Sequence, residues 1–269
     1  MTRRRDIEKR LRSFGDIHKI LGSMRNLSYL EIRKLTQFLA SQRRVVESIH
    51  RAAGDFLRFY PDLLGEPPRA EHLFVLIGSE RGFCGDFNEL LLRAAEVHPP
   101  GGGALHPRLI PVGRKLCAML DGDPRVLISL DGPSVAEEVD RILLSLIAAL
   151  NDYEREHGPL ALQALYHDAD RETVRAVYVL PPFQDAPQGP ADGYPPGLTL
   201  SPEGFLVELV DQYLFAALYQ LFYSSLMAEQ QFRIRHLEGA MRRMEEKMDA
   251  LALTRNTLRQ EEIIEEIEV

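Results

Sequence analysis

A chain of 269 residues with 45% hydrophobic and 27% charged residues can bury a core and can form one large domain or two smaller ones. Its two cysteines, Cys84 and Cys117, are too few for a disulfide framework and lack the spacing of metal ligands. The Arg-rich residues 1–14 contain no apolar signal-peptide segment, and no run of about 18 apolar residues marks a membrane span. We therefore expect a protein of a reducing, cytoplasmic compartment that does not insert into a membrane.

Charge and proline are distributed unevenly along the chain, although the formal net charge is only -8. Residues 1–58 carry 14 Lys/Arg and 6 Asp/Glu, whereas residues 203–269 carry 7 and 13. All 17 prolines lie between Pro61 and Pro202. Because proline breaks a helix interior, its absence from both terminal segments permits a long helix in each.

Apolar residues at steps of three and four support a helix in each terminal segment. The first segment has two such stripes: Ile7, Leu11, Phe14, Ile17, Leu21 and Met24, then Leu35, Phe38, Val45, Ile49, Ala52 and Phe56. The last segment has Ile234, Leu237, Met241, Met244, Met248, Leu251 and Leu258. Such seams are typical of coiled coils. Helices of roughly 80–95 Å would have to project from a compact domain.

The middle of the chain alternates between strand-like and helix-like segments. Strands are predicted at 72–79, 108–113, 125–130, 160–167 and 173–180, and helices at 88–97 and 134–158. This alternation predicts a Rossmann-like α/β domain with a mostly parallel sheet. The predicted organisation is an N-terminal coiled-coil helix at 1–58, an α/β domain at 59–204 and a C-terminal coiled-coil helix at 205–269. The two terminal helices enter and leave one domain and can therefore pair antiparallel.

A glycine-rich turn, GSERGFCGDFN at residues 78–88, follows the first predicted strand and precedes a helix. Strand–turn–helix units of this kind can hold phosphate at the helix N-terminus. However, the turn contains no Lys and matches neither GxxxxGK[ST] nor GxGxxG, so phosphate binding is disfavoured. The eight His residues are scattered, and no catalytic or metal-binding cluster stands out. We therefore predict no cofactor and no metal site, and no group of residues indicates catalysis.

Three stretches, in correct order and spacing, resemble the gamma subunit of rotary F-type ATP synthases. In residues 6–34 the matching positions are Ile7, Ser13, Lys19, Ile20, Met24, Arg33 and Lys34. The turn ERGFCGDFN at 80–88 is similar to the family's Asp-Arg-Gly-Leu-Cys-Gly-Gly-Leu-Asn turn. The last helix matches at Glu229, Gln230, Arg233, Asn256, Arg259, Gln260, Ile263 and Glu266.

The resemblance implies a central rotor shaft, a non-catalytic subunit that couples proton or sodium flow through a membrane ring to ATP synthesis or hydrolysis. Implied partners are the alpha and beta subunits of the head, the epsilon subunit and the membrane rotor ring. The implied location is peripheral, on the cytoplasmic face of the bacterial inner membrane. The residues that would contact the alpha–beta ring are Met24, Arg233, Arg259, Gln260 and Glu266. Gly82, Cys84 and Gly85 would form a structural turn with no bound nucleotide.

Two departures from the family pattern favour a divergent branch, the alternate and often sodium-linked ATPases of some bacteria. Ile264 stands where the family usually has Thr, and Asp86 replaces a Gly in the turn. Alternative functions also stay open. One is a coiled-coil nucleic-acid-binding or scaffold protein that uses its basic N-terminal helix, for which Lys and Arg should line one exposed face. Another is an α/β enzyme with coiled-coil arms, which would need a catalytic cluster at the strand ends.

Overall fold

The computed structural model describes residues 2–64, 71–97, 108–183 and 193–267. Its helices are α1 (Thr2–Leu57), α2 (Phe87–Val97), α3 (Arg114–Met119), α4 (Val139–His157) and α5 (Pro202–Ile267). Its strands are β1 (Glu71–Ile77), β2 (Arg108–Val112), β3 (Leu160–Asp168) and β4 (Thr173–Leu180), and short 3-10 turns lie at Pro61–Leu64 and Ala136–Glu138. Two long terminal helices therefore flank the α/β elements.

The four strands form one sheet in the order β2-β1-β3-β4. Strand β1 runs parallel to both neighbours, with Val75 opposite Ile110 on one side and Ala164 on the other. Strand β4 runs antiparallel to β3. The predicted mostly parallel sheet is thus confirmed, with an antiparallel strand at one edge.

The strand predicted at 125–130 is wrong. This segment touches the outer edge of β2 only through isolated bridges, Leu109 to Val126 and Val112 to Leu130. Pro111 lies between the two bridges and has no N–H to donate, so it interrupts the ladder on that edge.

Each face of the sheet is covered by helices. Alternate strand side chains point to opposite faces, and those of one face, including Val75 and Ile110, pack against α1, α4 and α5. Those of the other face, including Phe74 and Leu76, pack with Leu91 of α2 and Leu116 of α3. The apolar strands predicted from sequence therefore become the centre of two cores.

Helices α1 and α5 pack against each other in antiparallel order. Residues early in α1 contact residues late in α5: Arg4 Nη1 donates to Glu262 over 2.8 Å, and His18 Nε2 lies 2.8 Å from Glu245. Residues late in α1 contact residues early in α5: Gln42 Nε2 donates to the Ala216 carbonyl over 3.0 Å, and the Phe56 and Phe205 rings are 4.8 Å apart. Beyond His236, whose ring lies near Phe83 of the turn, α5 continues for about 45 Å at 1.5 Å per residue. The helix pair thus projects from the sheet domain, as predicted.

The apolar stripe predicted for the second half of α1 is wrong in register at three positions. Leu35 and Phe56 are buried as predicted, but Phe38 is 44% exposed and Val45 and Ala52 are also exposed. Leu39 and Ala53 are buried instead, and Ala53 packs with residues of α5.

By length and composition, α5 contains a stretch apolar enough to cross a membrane, with 39% of that stretch buried. Its hydropathy has another explanation. Side chains of this stretch, among them Leu218, Leu221 and Phe222, form part of the core beneath the sheet. The segment is therefore the central core helix of the α/β unit.

Candidate functional site where the turn meets the helix pair

The glycine-rich turn begins where β1 ends and is fixed to the start of α2. Asn88 Oδ1 accepts a hydrogen bond from the Ser79 backbone N–H over 2.9 Å, and Asn88 Nδ2 donates to Ser79 Oγ over 2.9 Å. The backbone then takes positive φ angles at Phe83 (65°) and Gly85 (59°). Glycine adopts such a conformation without strain, which explains Gly85. A tight turn results, with Phe83 exposed at its tip.

Glu80 ties this turn to the loops after β2 and before α4. Its carboxylate accepts backbone N–H groups of Arg114 and Gly132, each over 2.9 Å, and the Arg114 side chain adds a charged donor. Burial alone would raise the pKa of Glu80, but these hydrogen bonds outweigh it and the pKa is lowered. Glu80 is therefore an internal anion that holds three loops together.

Arg233 and Glu229 of α5 bind the other side of the turn. Arg233 forms an ion pair with Glu229 and donates to Gln230 Oε1 over 2.7 Å and to the Gly82 carbonyl over 3.3 Å. Glu229 in turn interacts with the backbone N–H groups of Glu80 and Arg81. Burial raises the pKa of Glu229, against the opposing charge of Arg233. The polar side chains of one helical turn thus clamp the backbone of the turn.

The contacts between Glu229 and the turn also bear on whether this glycine-rich turn could bind phosphate. Backbone N–H groups are what a phosphate-binding turn offers its ligand. Here the N–H groups of Glu80 and Arg81 face the Glu229 carboxylate instead. The turn uses its donors for its own packing.

The residues predicted for this region lie in different surroundings. Met24, Gly82 and Arg233 line one cleft of 510 Å³ between α1, the turn and α5. Arg233 is only 5% exposed, so its guanidinium is used within the chain and its predicted contact with the alpha–beta ring stays a prediction. Cys84 is buried, and burial raises the pKa of its thiol.

The other predicted contact residues lie far from the turn, near the end of α5. Arg259 and Gln260 are exposed there. Glu266 is within α5, but its side chain lies outside the described residues. The structure therefore does not bring these three residues to the cleft.

The walls of the cleft are mainly apolar. Leu27 of α1 is 65% exposed, Leu30 is 61% exposed, and Phe83 approaches them from the turn. At its edge Arg81 Nε donates to Ser134 Oγ over 3.0 Å. Such an exposed apolar surface is typical of contact with another protein. Among the described residues no group of His, Cys, Asp and Glu could hold a metal ion.

Sequence reasoning missed the roles of Glu80 and Glu229 in holding the turn. A signal for Glu229 was available, because it lies three residues after Leu226 and four before Arg233, on the seam that continues to Leu237. Polar residues at seam positions indicate buried hydrogen bonding. No comparable signal marks Glu80, whose partners Arg114 and Gly132 are distant in sequence.

Comparison with known proteins identifies the family. A family model described as ATP synthase matches residues 3–269. The ATP synthase gamma chain of Paramagnetospirillum magneticum is 24% identical over 290 residues, covering 99% of this chain and 97% of the relative. That of Ruminococcus albus is 23% identical over 283 residues, covering 99% and 96%.

Solved structures share the fold. A chain of the Euglena gracilis mitochondrial ATP synthase, in a structure of OSCP, F1 and c-ring, matches with a TM-score of 0.62 and 18% identity, covering 99% of this chain and 91% of that one. A chain from the rotor of the same enzyme matches with a TM-score of 0.59 and 18% identity, covering 97% and 99%. These similarities confirm the predicted fold of an α/β domain with a long helix pair. Because the family model spans residues 3–269, this chain belongs to the ATP synthase family, as do the relatives named ATP synthase gamma chain.

Proposed function

We propose that this chain is the central rotor shaft, the gamma subunit, of an F-type ATP synthase or ATPase. The observation that carries the proposal is the antiparallel pairing of α1 with α5, from Phe56 and Phe205 at the domain to Arg4 and Glu262 near the far end. Relatives named ATP synthase gamma chain support it along almost their whole length. The chain itself is a non-catalytic subunit.

In this function the helix pair occupies the hollow of the alpha–beta ring, and the α/β domain docks on the epsilon subunit and the membrane rotor ring. Ion flow turns the ring and the shaft with it. The asymmetric shaft then changes the nucleotide affinities of the beta sites in sequence, which is coupling through a rigid element that the sites share. The solved structures that share this fold are those of an ATP synthase rotor and of an assembly of OSCP, F1 and c-ring, which supports these partners.

Torque must be transmitted from the sheet domain to the projecting helices, and the turn lies where these helices leave the domain. Glu229 and Arg233 bind the turn from α5. On the α1 side, Glu31 Oε1 accepts the Ala136 backbone N–H over 2.6 Å, and Lys34 Nζ donates to Glu137 over 2.8 Å. Both helices are therefore fixed to the domain by polar contacts where they leave it, as a stiff shaft requires.

The ring contacts proposed for Met24, Arg233, Arg259, Gln260 and Glu266 rest on the family resemblance. Exposure supports Arg259 and Gln260, because exposed polar side chains form contacts that are easily remade. The cleft supports Met24, since it joins an exposed apolar surface. A peripheral location on the membrane follows from membership of the complex, and we place the chain on the cytoplasmic face of a bacterial inner membrane. The alternate, sodium-linked branch also stays a proposal.

Charge placement speaks against the nucleic-acid alternative. Two basic residues of α1 lie beside acidic residues of α5, the first being Arg4, which pairs with Glu262 over 2.8 Å. Arg25 lies 4.0 Å from Glu238 on the same seam. Basic side chains that pair with carboxylates within the chain are less available to nucleic-acid phosphates.

Reconstitution with the alpha and beta subunits of the same source tests the proposal. We expect a complex that contains all three chains and whose ATPase activity depends on this one. The control is Leu21→Asp with Leu237→Asp, because both side chains are buried between α1 and α5 and the charges would separate the helices. A chain that remains monomeric beside an assembled alpha–beta ring would contradict the proposed function.

A further inference from the structure

Side chains of three helices form an aromatic and apolar surface, in which the side chains from α1 and α4 are exposed and those from α5 are half-buried. We name as the aromatic face Phe38 of α1, Leu144 of α4, and Tyr219 and Tyr223 of α5. The Phe38 and Tyr223 rings stack with centroids 5.6 Å apart, and the Tyr219 and Tyr223 rings lie 5.9 Å apart. Leu144 is 62% exposed and lies one helical turn after Asp140, which interacts with the Tyr219 hydroxyl.

The rim of the aromatic face is acidic. Asp140 and Glu137 are both exposed and both act on the tyrosines. Burial, and then hydrogen bonding and charge from Asp140, raise the pKa of Tyr219 to about 12. Burial followed by the charges of Asp140 and Glu137 raises the pKa of Tyr223. The carboxylates therefore make the potential over the rings negative.

One cation beside this rim already has its partners. Lys34 Nζ lies 2.9 Å from Glu31 Oε2 and 2.8 Å from Glu137 Oε1. Its ammonium group lies at the Glu137 end of the rim, whereas Asp140 lies beside Tyr219. A cation from outside the chain would meet aromatic ring faces and the Asp140 carboxylate together.

This combination selects a chemistry of partner. The ring face of an aromatic side chain attracts Lys and Arg, and a nearby carboxylate adds a charged hydrogen bond. The aliphatic stem of a Lys or Arg, or an adjacent apolar side chain, would cover Phe38 and Leu144. An acidic partner would be repelled by the same rim.

We propose that the aromatic face docks a partner segment in which Lys or Arg alternates with apolar residues. The proposal deepens the function proposed above and rests on it only for the expectation that the segment belongs to another subunit of the complex. The sequence explains how this surface arose. Phe38 lies at a three-residue step from the buried Leu35 and so extends the apolar pattern of α1, but it faces outward beside α5.

The chemistry can be tested on the isolated full chain. The probe is a synthetic amphipathic helical peptide of Leu and Lys, and its matched partner has Glu in place of every Lys. We expect the Lys peptide to bind and Leu144→Lys to weaken binding by about tenfold, since it replaces an apolar contact with a repelling charge. Ser145→Lys is the matched control, because it adds the same charge at the next, also exposed, position.

A second variant tests the contribution of the acidic rim to binding separately from that of the aromatic rings. Asp140→Asn keeps the size of the side chain and removes its charge. It should weaken binding of the Lys peptide while lowering the thermal unfolding temperature only slightly, because it also removes a favourable charge from the first turn of α4. Equal binding of the Lys and Glu peptides, or equal effects of Leu144→Lys and Ser145→Lys, would overturn the proposal. Concentration-dependent dimerisation that Leu144→Lys abolishes, with no peptide binding, would overturn it in favour of a second copy. None of these readouts requires the alpha–beta ring, so failure here is distinct from failure to reconstitute the complex.

Discussion

The Arg233 guanidinium and the Glu229 carboxylate form a buried ion pair one helical turn apart on α5, and both side chains also bind the turn after β1. This pair lies where the projecting helices meet the domain. Burying two charges is unfavourable unless each has further hydrogen bonds. Arg233 donates to Gln230 and to the Gly82 carbonyl, and Glu229 interacts with the backbone N–H groups of Glu80 and Arg81.

Arg233→Ala should lower the free energy of unfolding by about 3–5 kcal/mol, because it leaves Glu229 buried without its counter-charge. Replacing both residues together, as Arg233→Met with Glu229→Leu, should cost less than the single change. The measurement is urea denaturation of all three proteins. Arg242→Ala, an exposed position on the same helix, is the control and should change stability by no more than about 0.5 kcal/mol. If Arg233→Ala and Arg242→Ala lowered the free energy of unfolding equally, the buried pair of Arg233 and Glu229 would not stabilise the fold as we infer.

Low pH should weaken the hydrogen bonds through which Glu80 holds the three loops together. The pKa of Glu80 is lowered in the folded chain, so its contribution is complete above the unfolded pKa of about 4.3 and disappears as pH falls through the lower folded value. Glu80→Gln should therefore destabilise the protein at pH 7, and the difference from wild type should shrink as the pH falls below about 4. Denaturation curves at a series of pH values measure this. A difference that stays constant with pH would contradict the assignment of a charged Glu80.

The sequence predicted the parts of this fold that depend on local pattern. Absence of proline and steps of three and four residues predict the two long helices, because both properties act within one segment. The predicted buried face of α1 was wrong at Phe38 and Val45. Two apolar stripes were possible on this helix, and only packing against α5 determines which of them is buried. The strand at 125–130 failed because Pro111, on another segment, lacks the donor that continued pairing requires.

The candidate site was less predictable than the fold. The family resemblance pointed to Arg233 but not to its burial, because Arg is usually exposed. Its environment depends on the Gly82 carbonyl, which lies far away in sequence. Such contacts form only when segments far apart in sequence come together in the fold, so no local pattern in the sequence predicts them.

His167 should make the fold sensitive to mild acid. Burial lowers the pKa of His167 to about 4, with Nε2 donating to the Phe87 carbonyl over 2.8 Å. Because the unfolded chain binds the proton first, stability should fall by about 3 kcal/mol as the pH drops from about 6.5 to about 4. His167→Gln should remove most of this slope. Both states of wild-type His167 are neutral at pH 8, so the difference measured there reports packing alone. An unchanged slope in the variant would show that other groups cause the acid sensitivity.

Two glycines with positive φ should respond differently to alanine. Gly113 has φ 111°, and an added Cβ would lie 2.7 Å from the Ser79 carbonyl oxygen. Gly122 has φ 79°, with nothing within 4 Å of an added Cβ. Gly122→Ala should cost about 1 kcal/mol from backbone strain alone, whereas Gly113→Ala should cost clearly more because backbone must also move. The melting temperatures of the two variants measure this difference. Equal melting temperatures would contradict the close approach of Gly113 to the Ser79 carbonyl.

Arg259 and Gln260 should matter for the complex and not for the fold. Both side chains are exposed near the end of α5, so Arg259→Ala with Gln260→Ala should change the stability of the isolated chain by no more than about 0.5 kcal/mol per site. In the reconstituted complex, lost polar contacts worth about 1 kcal/mol should lower ATPase activity by roughly fivefold. Arg93→Ala, which removes the same charge at an exposed position on α2, is the control and should leave activity unchanged. If the double variant and Arg93→Ala have equal activity, the exposed end of α5 does not carry the ring contact, and the cleft at Met24 becomes the next surface to test.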